Sequence, residues 1–210
     1  MKGDILIIDE NHRRAGRQVT SRLLSEIQSA RAYVITIAGE SGAGKSEIAQ
    51  AVKEELEKHN IATFIFGQDD YFQLPPKSNA RQRELDISWV GPNEVRLPFL
   101  DEHLDKALNK RSAIVKPLVD FDADVIGTEE INLADYKVFI AEGTYTTLLK
   151  NVNKKIFIDR NKMDTLESRK KRNREKQDDF LEKILTIEHN IISRHKDLAD
   201  IIIDKTFNVV

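Results

Sequence analysis

One run of eight residues, Gly39-Glu40-Ser41-Gly42-Ala43-Gly44-Lys45-Ser46, constrains the fold more than any other part of this chain. It fits the pattern G-x-x-x-x-G-K-[ST] at every fixed position. A β-branched, apolar stretch at 33–38 precedes it, and apolar residues at helical spacing follow from Glu47 onward. A strand, a glycine-rich turn and a helix in this order predict a loop whose backbone amides bind phosphate. A chance glycine turn is the alternative, and the complete motif in this setting disfavours it.

Each part of this loop has a chemical role. Its glycines let backbone amides turn toward a phosphate, and the positive end of the following helix attracts the same anion. We expect Lys45 to reach the β- and γ-phosphates of ATP and the Ser46 hydroxyl to bind Mg²⁺. The segment from Gly39 to Glu47 is therefore predicted to bind the nucleotide, with Lys45 taking part in catalysis.

Strand-like and helix-like stretches alternate along the chain. Short apolar runs occur at 5–8, 33–38, 61–66, 113–119, 138–141, 156–158 and 201–203. Most of the sequence between them has apolar residues at helical spacing. This alternation predicts an α/β fold with a doubly wound parallel sheet in three layers, α/β/α.

The chain is predicted to hold one main domain, 32–210. Residues 1–31 precede its first expected strand, and we interpret them as an N-terminal appendage packed on that domain. The alternative is that this appendage packs against a dimer partner, and the sequence is therefore also compatible with a homo-oligomer. Residues 73–92 contain three prolines and a glycine and are predicted to form an extended loop. A helix is expected over 93–109, with Pro98 marking a break or kink near its first turns.

Acidic residues follow several predicted strands. Asp69 and Asp70 come after one apolar run, and Glu142, followed by Gly143, comes after another. Because ligands bind at the carboxyl ends of strands in open α/β sheets, one aspartate is a candidate base for an attacking hydroxyl. Glu142 is a candidate for holding a water on Mg²⁺ or for contacting the acceptor. A solvated turn or an ordinary strand end is the alternative for these acids, and Asp159 is explained as well by capping.

Six basic residues fall between positions 169 and 176. Arg169 and Arg172 are three residues apart, so on a helix they share a face. We interpret 164–178 as a lid whose arginines stabilise the charge on the γ-phosphate and exclude water. A solvated helix face is the alternative. Nucleic-acid binding is disfavoured because the run is short, flanked by acids and without neighbouring aromatic residues.

The composition excludes several classes of protein. The chain carries 33 basic and 35 acidic residues, a net charge of -2 and no cysteine. This balance of charges gives no general attraction for nucleic acid or an anionic membrane. The absence of cysteine excludes disulfides and thiolate metal sites. No apolar run approaches the roughly 20 residues of a membrane span. We therefore expect a cytoplasmic protein whose partners are ATP and a small-molecule hydroxyl acceptor, with no nucleic acid and no membrane.

Taken in order, the motifs resemble those of the uridine kinase and phosphoribulokinase family of P-loop kinases, over about residues 33–204. The segments that carry the resemblance are 39–46, 68–72, 116–121, 141–143, 169–174 and 195–203. The resemblance implies a sheet of the P-loop nucleoside triphosphate hydrolase type, ATP with Mg²⁺, and phosphorylation of a hydroxyl on a small molecule. It implies that Asp69 is the base and that Ser46, Glu142 and Asp69 surround the metal. Arg169 and Arg172 match lid positions.

The residues that address uridine in this family are changed here. Val119 stands where uridine kinases carry a tyrosine that contacts the base, and Val90 stands where they carry an acid that binds the ribose. By the resemblance, uridine or cytidine is the first candidate acceptor. The alternative acceptors are a sugar phosphate and a pantothenate-like alcohol. The alternative to a kinase is a nucleotide-dependent regulator without small-molecule turnover. The candidate acceptor contacts are Asp70, Tyr71, Arg81, Trp89, Lys116 and Asp120.

Overall fold

The computed structural model describes residues 6–109, 113–166 and 178–210. The strands in these ranges are β1 (Tyr33–Gly39), β2 (Thr63–Gly67), β3 (Ala113–Asp120), β4 (Val125–Asn132), β5 (Val138–Glu142), β6 (Lys154–Ile158) and β7 (Ile201–Ile203). Five of them form one parallel sheet in the order β2-β5-β1-β6-β7. The non-consecutive order means that helical crossovers connect the strands on both faces, as in a doubly wound fold.

Helices cover both faces of this sheet. The helices in the described ranges are α1 (Glu10–Ser29), α2 (Lys45–Lys58), α3 (Pro76–Leu85), α4 (Leu97–Leu108) and α5 (Asp179–Ile192). On one face, Ile27 of α1 and Ile48 of α2 pack in one buried cluster with Ile35 of β1. On the other face, Leu104 of α4 packs with Val34, the neighbouring residue of β1. Alternate residues of a fully buried strand thus face two helical layers, and the predicted α/β/α class is confirmed.

The first helix belongs to the larger of these buried clusters. Asp9 caps it by accepting hydrogen bonds from the amides of Asn11 and His12 at 2.9 and 3.1 Å. A methyl group at Gly16 would lie 2.8 Å from the backbone of Ala51 on α2, so α1 and α2 are in close backbone contact. The strand expected over 5–8 is not formed at residues 6–8, which have no regular structure.

Three further expectations differ from the structure. The apolar run at 113–119 does not enter the main sheet, because β3 pairs antiparallel with β4 to form a separate hairpin. Residues 73–92 are not one extended loop, because they contain α3, a polar helix whose buried residue is Asn79. Pro98 does not break α4 but occupies its first turn, where a proline is tolerated.

Within the described residues, no helix combines the length and the apolar character needed to cross a bilayer.

Candidate active site

The register of the sheet brings three chain segments together at one edge. β5 lies between β1 and β2, and its last residue, Glu142, pairs with Ile37 of β1 and Gly67 of β2. Gly39 follows Ile37 by two residues, and Asp69 follows Gly67 by two. The phosphate-binding run, Asp69 and Glu142 therefore meet at the carboxyl ends of neighbouring parallel strands, where such sheets bind ligands.

The phosphate-binding run turns into α2 at Gly44. Gly42 and Gly44 have φ angles of 78° and 97°, which glycine adopts at no steric cost. The first amides of a helix lack carbonyl partners within it, and those of α2 begin directly after this turn. The Lys45 ammonium donates a hydrogen bond to the Glu40 carbonyl at 2.9 Å, within the same run. The amides at the start of α2 and the lysine together suit an anion at this helix end.

Residues from both ends of the chain pack on the outer side of Gly44. A methyl group at Gly44 would lie 3.1 Å from Nε2 of His12 and 3.2 Å from the ring of Phe207. Arg160 lies 4.5 Å from the centre of the Phe207 ring and donates to the Ala43 carbonyl at 3.4 Å. No sequence motif marks His12, Arg160 or Phe207, because their placement depends on contacts between distant segments.

The two acids of the predicted nucleotide segment are buried. Glu40 is 6% exposed, and its carboxylate contacts Nδ1 of His189 on α5 at 2.5 Å. Glu47 is also buried, and its charge acts on His12 and Arg160. Both acids therefore interact with basic side chains around the phosphate-binding run.

Gly143 permits a close approach between the ends of β5 and β2. A methyl group at Gly143 would lie 2.2 Å from the Cβ of Gln68, so a side chain there would displace Gln68. Oε1 of Gln68 accepts a hydrogen bond from the Tyr145 amide at 2.7 Å. This contact holds the residue before Asp69 against the segment that follows Glu142.

Glu142 lies among charged groups from the other two segments. Burial and the charge of Asp69 raise the pKa of Glu142 from 4.5 to about 7, although Lys45 and a hydrogen bond with Ser46 lower it. Two carboxyl groups this close repel each other when both are ionised, and a cation between them relieves the repulsion.

The residues at this point fit Mg²⁺. This ion prefers oxygen ligands and keeps several waters, and Ser46, Glu142 and Asp69 offer a hydroxyl and two carboxyl groups. Burial is the main cause of the raised pKa of Glu142, and the part that comes from the charge of Asp69 favours a cation between the two carboxyl groups. In the described ranges, no group of three acidic or histidine side chains could hold a metal unaided. Phosphate oxygens of ATP and water would therefore complete the coordination.

Replacing Glu142 by Gln is expected to stabilise the metal-free protein at pH 8 and to have little effect at pH 4.5. Because the pKa of Glu142 is raised to about 7, the folded protein binds more protons than the unfolded chain between about pH 4.5 and 7. The wild type therefore loses stability as pH rises through this window, whereas the neutral glutamine does not. The expected gain at pH 8 is about 3 kcal/mol, from the rise in pKa from 4.5 to about 7 at roughly 1.4 kcal/mol per pKa unit.

Denaturant unfolding at both pH values, without metal, measures this difference. Asp159→Asn is the control, because Asp159 directly follows β6 but is half exposed and paired with Lys196 at 2.5 Å. A gain of equal size at pH 4.5 and pH 8 for Glu142→Gln would contradict the assigned titration.

The adjacent aspartates have different environments. Asp70 is 3% exposed, with Oδ2 accepting from Nζ of Lys116 at 2.9 Å and Oδ1 accepting from the Val119 amide at 3.0 Å. Lys116 is 2% exposed and also lies 3.3 Å from Glu129. Asp70 and Lys116 therefore join the end of β2 to the β3–β4 hairpin. Asp69, in contrast, is partly exposed.

Four other residues were predicted to contact the acceptor substrate, and each has its own environment. Tyr71 is fully buried, and its hydroxyl is bonded to a histidine of α4 at 2.8 Å. Trp89 donates to Asn79 at 2.9 Å, Arg81 is exposed, and Asp120 accepts from an amide of the hairpin turn at 3.0 Å. None of these hydrogen bonds joins two of the four side chains.

Val90 and Val119, where the family resemblance leads one to expect polar contacts with uridine, are 5% and 0% exposed. Both side chains are therefore part of the packed interior.

A cavity of about 420 Å³ opens between the strand ends and the hairpin. It is lined by the polar residues Ser46, Asp70, Lys116, Glu129 and Glu142, and by Leu6, Phe64, Ile65, Gly67 and Leu118. This volume lies in the range of small-molecule sites. Because Ser46 and Glu142 form part of its wall, the cavity adjoins the phosphate-binding run and is the candidate acceptor site.

The predicted lid falls largely outside the described residues, and Arg169 and Arg172 lie there. The described part of 164–178 consists of residues 164–166 and 178.

The comparison with known proteins decides the family. The model of the phosphoribulokinase / uridine kinase family matches residues 34–208. The chain belongs to this family. It is therefore a phosphotransferase that acts on a hydroxyl group, and the resemblance seen in the motifs is confirmed.

Individual members of the family are distant relatives of this phosphotransferase. The uridine kinase of Ureaplasma parvum serovar 3 is 27% identical over 157 residues, which cover 73% of this chain and 74% of the relative. A solved structure described as a possible uridine kinase from Bacillus stearothermophilus has a TM-score of 0.65 at 16% identity, covering 90% of this chain and 97% of that chain. D-glycerate 3-kinase from Cryptococcus neoformans has a TM-score of 0.63 at 14% identity, covering 96% and 98%. These structures establish the fold and leave the acceptor open.

Proposed function

We propose that this chain transfers the γ-phosphate of ATP to a hydroxyl group of a nucleoside, with uridine or cytidine as the first candidate. The observation that carries the proposal is the meeting of the phosphate-binding run, Asp69 and Glu142 at adjacent strand ends, beside a cavity of about 420 Å³. The uridine kinase named among the relatives supports the nucleoside.

Each residue has a stated role in this proposal. The amides of the run at 39–46 and the Lys45 ammonium hold the β- and γ-phosphates. Ser46 and Glu142 hold Mg²⁺, the latter through water, and the ion supplies charge neutralisation on the phosphates. Asp69 orients the acceptor hydroxyl and accepts its proton. By the family resemblance, Arg169 and Arg172 are assigned to stabilising the charge on the γ-phosphate.

A second candidate is the kinase of a non-nucleoside alcohol. The burial of Val90 and Val119 favours it, because neither side chain offers a polar group to a ribose or a base. A phosphorylated acceptor is disfavoured, because the cation in the cavity, Lys116, is already paired with Asp70 and Glu129. An alcohol without a phosphate group therefore remains the better second candidate.

ATP consumption with Mg²⁺, measured across uridine, cytidine, pantothenate, glycerate and ribulose 5-phosphate, tests both candidates. We expect turnover that depends on uridine or cytidine and yields the phosphorylated nucleoside by mass spectrometry. Turnover with pantothenate or glycerate alone would replace the first candidate by the second. No turnover above that of a Lys45→Ala variant with any acceptor would contradict the proposal.

A further inference from the structure

The segment before α1 reaches the candidate acceptor cavity. Leu6 lines this cavity together with Ser46 and Glu142, although it lies 40 positions from Ser46 in the chain. The residues matched by the family model begin at Val34, so this part of the wall comes from outside the matched region.

The position of this segment is fixed by its anchor on α1. The capping box holds Asp9 and His12 to each other, with the Asp9 amide donating to Nδ1 of His12 at 3.2 Å. His12 in turn packs beside Gly44 of the phosphate-binding run. Three residues of extended chain span roughly 10 Å, so a chain anchored beside Gly44 can reach the mouth of the neighbouring cavity.

Adjacent side chains of the segment face opposite ways. Leu6 is partly buried, whereas Ile7 is 56% exposed. Leu6 contributes to the apolar lining of the cavity together with Phe64, Ile65 and Leu118, while the acids and Lys116 contribute polar lining. An acceptor that carries both a hydroxyl and an apolar ring or chain matches this mixed lining.

We propose that Leu6 is a specificity-determining residue that packs against the apolar part of the acceptor. This inference rests on the proposed function, because it requires the cavity to be the acceptor site. It extends the site beyond the kinase motifs, since the N-terminal segment then supplies one wall of the pocket. The contact is with the acceptor alone, so the affinity for ATP does not depend on it.

Leu6→Ala and Ile7→Ala form a matched pair, because the residues are adjacent, apolar and differently exposed. With uridine as the probe, we expect Leu6→Ala to lower kcat/KM for the acceptor by about 10-fold, the effect of removing methyl groups from an apolar pocket. The KM for ATP is expected to stay unchanged, and Ile7→Ala is expected to match the wild type. If the role of Leu6 were merely structural, Leu6→Ala would alter the kinetic parameters for both uridine and ATP, or the melting temperature. Equal kcat/KM values for uridine in Leu6→Ala and Ile7→Ala would overturn the inference.

A second experiment uses the absence of cysteine from the chain. In Leu6→Cys and Ile7→Cys, a bulky maleimide is expected to react more slowly at position 6, because that position faces the cavity. Once attached there, it is expected to abolish acceptor phosphorylation and spare ATP binding. The same label at position 7 is expected to leave the activity intact.

The two experiments distinguish a failure of the inference about Leu6 from a failure of the proposed function. Equal labelling rates at positions 6 and 7, or full activity of the labelled Leu6→Cys variant, would overturn the inference alone. Absence of wild-type turnover with every hydroxyl acceptor would overturn the proposed function instead.

Discussion

Asp69→Asn is expected to lower the rate of phosphoryl transfer by about 10²- to 10⁴-fold, the range typical for a lost general base. Asp69 is partly exposed and lies close enough to Glu142 to raise its pKa, which places it at the meeting point of the strand ends. An amide at this position cannot accept the proton of the acceptor hydroxyl. Because Asp69 is not buried, we expect the variant to fold with nearly wild-type stability.

Asp70→Asn is the matched control, and its expected effect is on stability. Asp70 and Lys116 are both buried and bonded to each other at 2.9 Å. Removing one charge of a buried pair leaves the other uncompensated, at a cost of about 3 kcal/mol, although Glu129 still faces Lys116. For a chain of this length, the melting temperature is expected to fall by roughly 6–12 °C.

Single-turnover kinetics and thermal unfolding of both variants separate the two roles. The pair has identical chemistry one residue apart, so a general effect of removing a charge cannot explain opposite outcomes. If Asp70→Asn loses phosphoryl transfer while it melts like the wild type, and Asp69→Asn keeps its activity, the base is misassigned. Asp69→Asn should also lower the pKa of Glu142, because the repulsion between the two carboxyl groups disappears.

The sequence alone predicts the parts of this molecule whose chemistry is local. The phosphate-binding run needs glycine, lysine and serine at fixed spacing, so its position can be predicted without any knowledge of distant residues. The core strands are continuous apolar runs, because both faces of the sheet are covered by helices. Their order in the sheet then brings Asp69 and Glu142 beside the run.

The distinction between Asp69 and Asp70 could not be predicted from the residues themselves. It depends on Lys116, which lies 46 positions away and is bonded to Asp70 through a hairpin. The family resemblance favoured Asp69 as the base, and the structure supplies a physical reason for the different role of Asp70. The same long-range dependence explains why Leu6 was not recognised as a wall of the cavity.

The two secondary-structure elements that the sequence patterns did not predict, β4 and α3, are polar. β4 is mostly exposed and contains two adjacent glutamates, so it lacks the apolar pattern of a core strand. α3 is held by polar contacts instead of an apolar face: Asn79 and Arg83 both donate to the buried Glu94, at 2.6 and 2.7 Å. Such elements are stabilised by specific partners far away in the chain, which periodicity does not reveal.

Lys45→Ala is expected to reduce ATP turnover by at least about 10³-fold, because it removes the cation that we assign to the β- and γ-phosphates. The fold is expected to stay intact. Lys45 is partly exposed at the first position of α2, and alanine is the best helix former. Lys58→Ala is the control, because Lys58 ends the same helix with 65% of its side chain exposed and is paired only across one turn with Glu55.

A second measurement, the pKa of Glu142, distinguishes an effect of Lys45 on the bound nucleotide from an effect of Lys45 on neighbouring side chains. The charge of Lys45 lowers the pKa of Glu142, so its removal should raise that pKa further above 7. A carbon NMR titration of the carboxyl groups in the nucleotide-free protein measures this shift. Full activity of Lys45→Ala would contradict the assignment of the phosphate-binding run. Lost activity with an unchanged titration of Glu142 would mean that Lys45 acts on the phosphates alone, and that the environment of Glu142 is set by burial and Asp69.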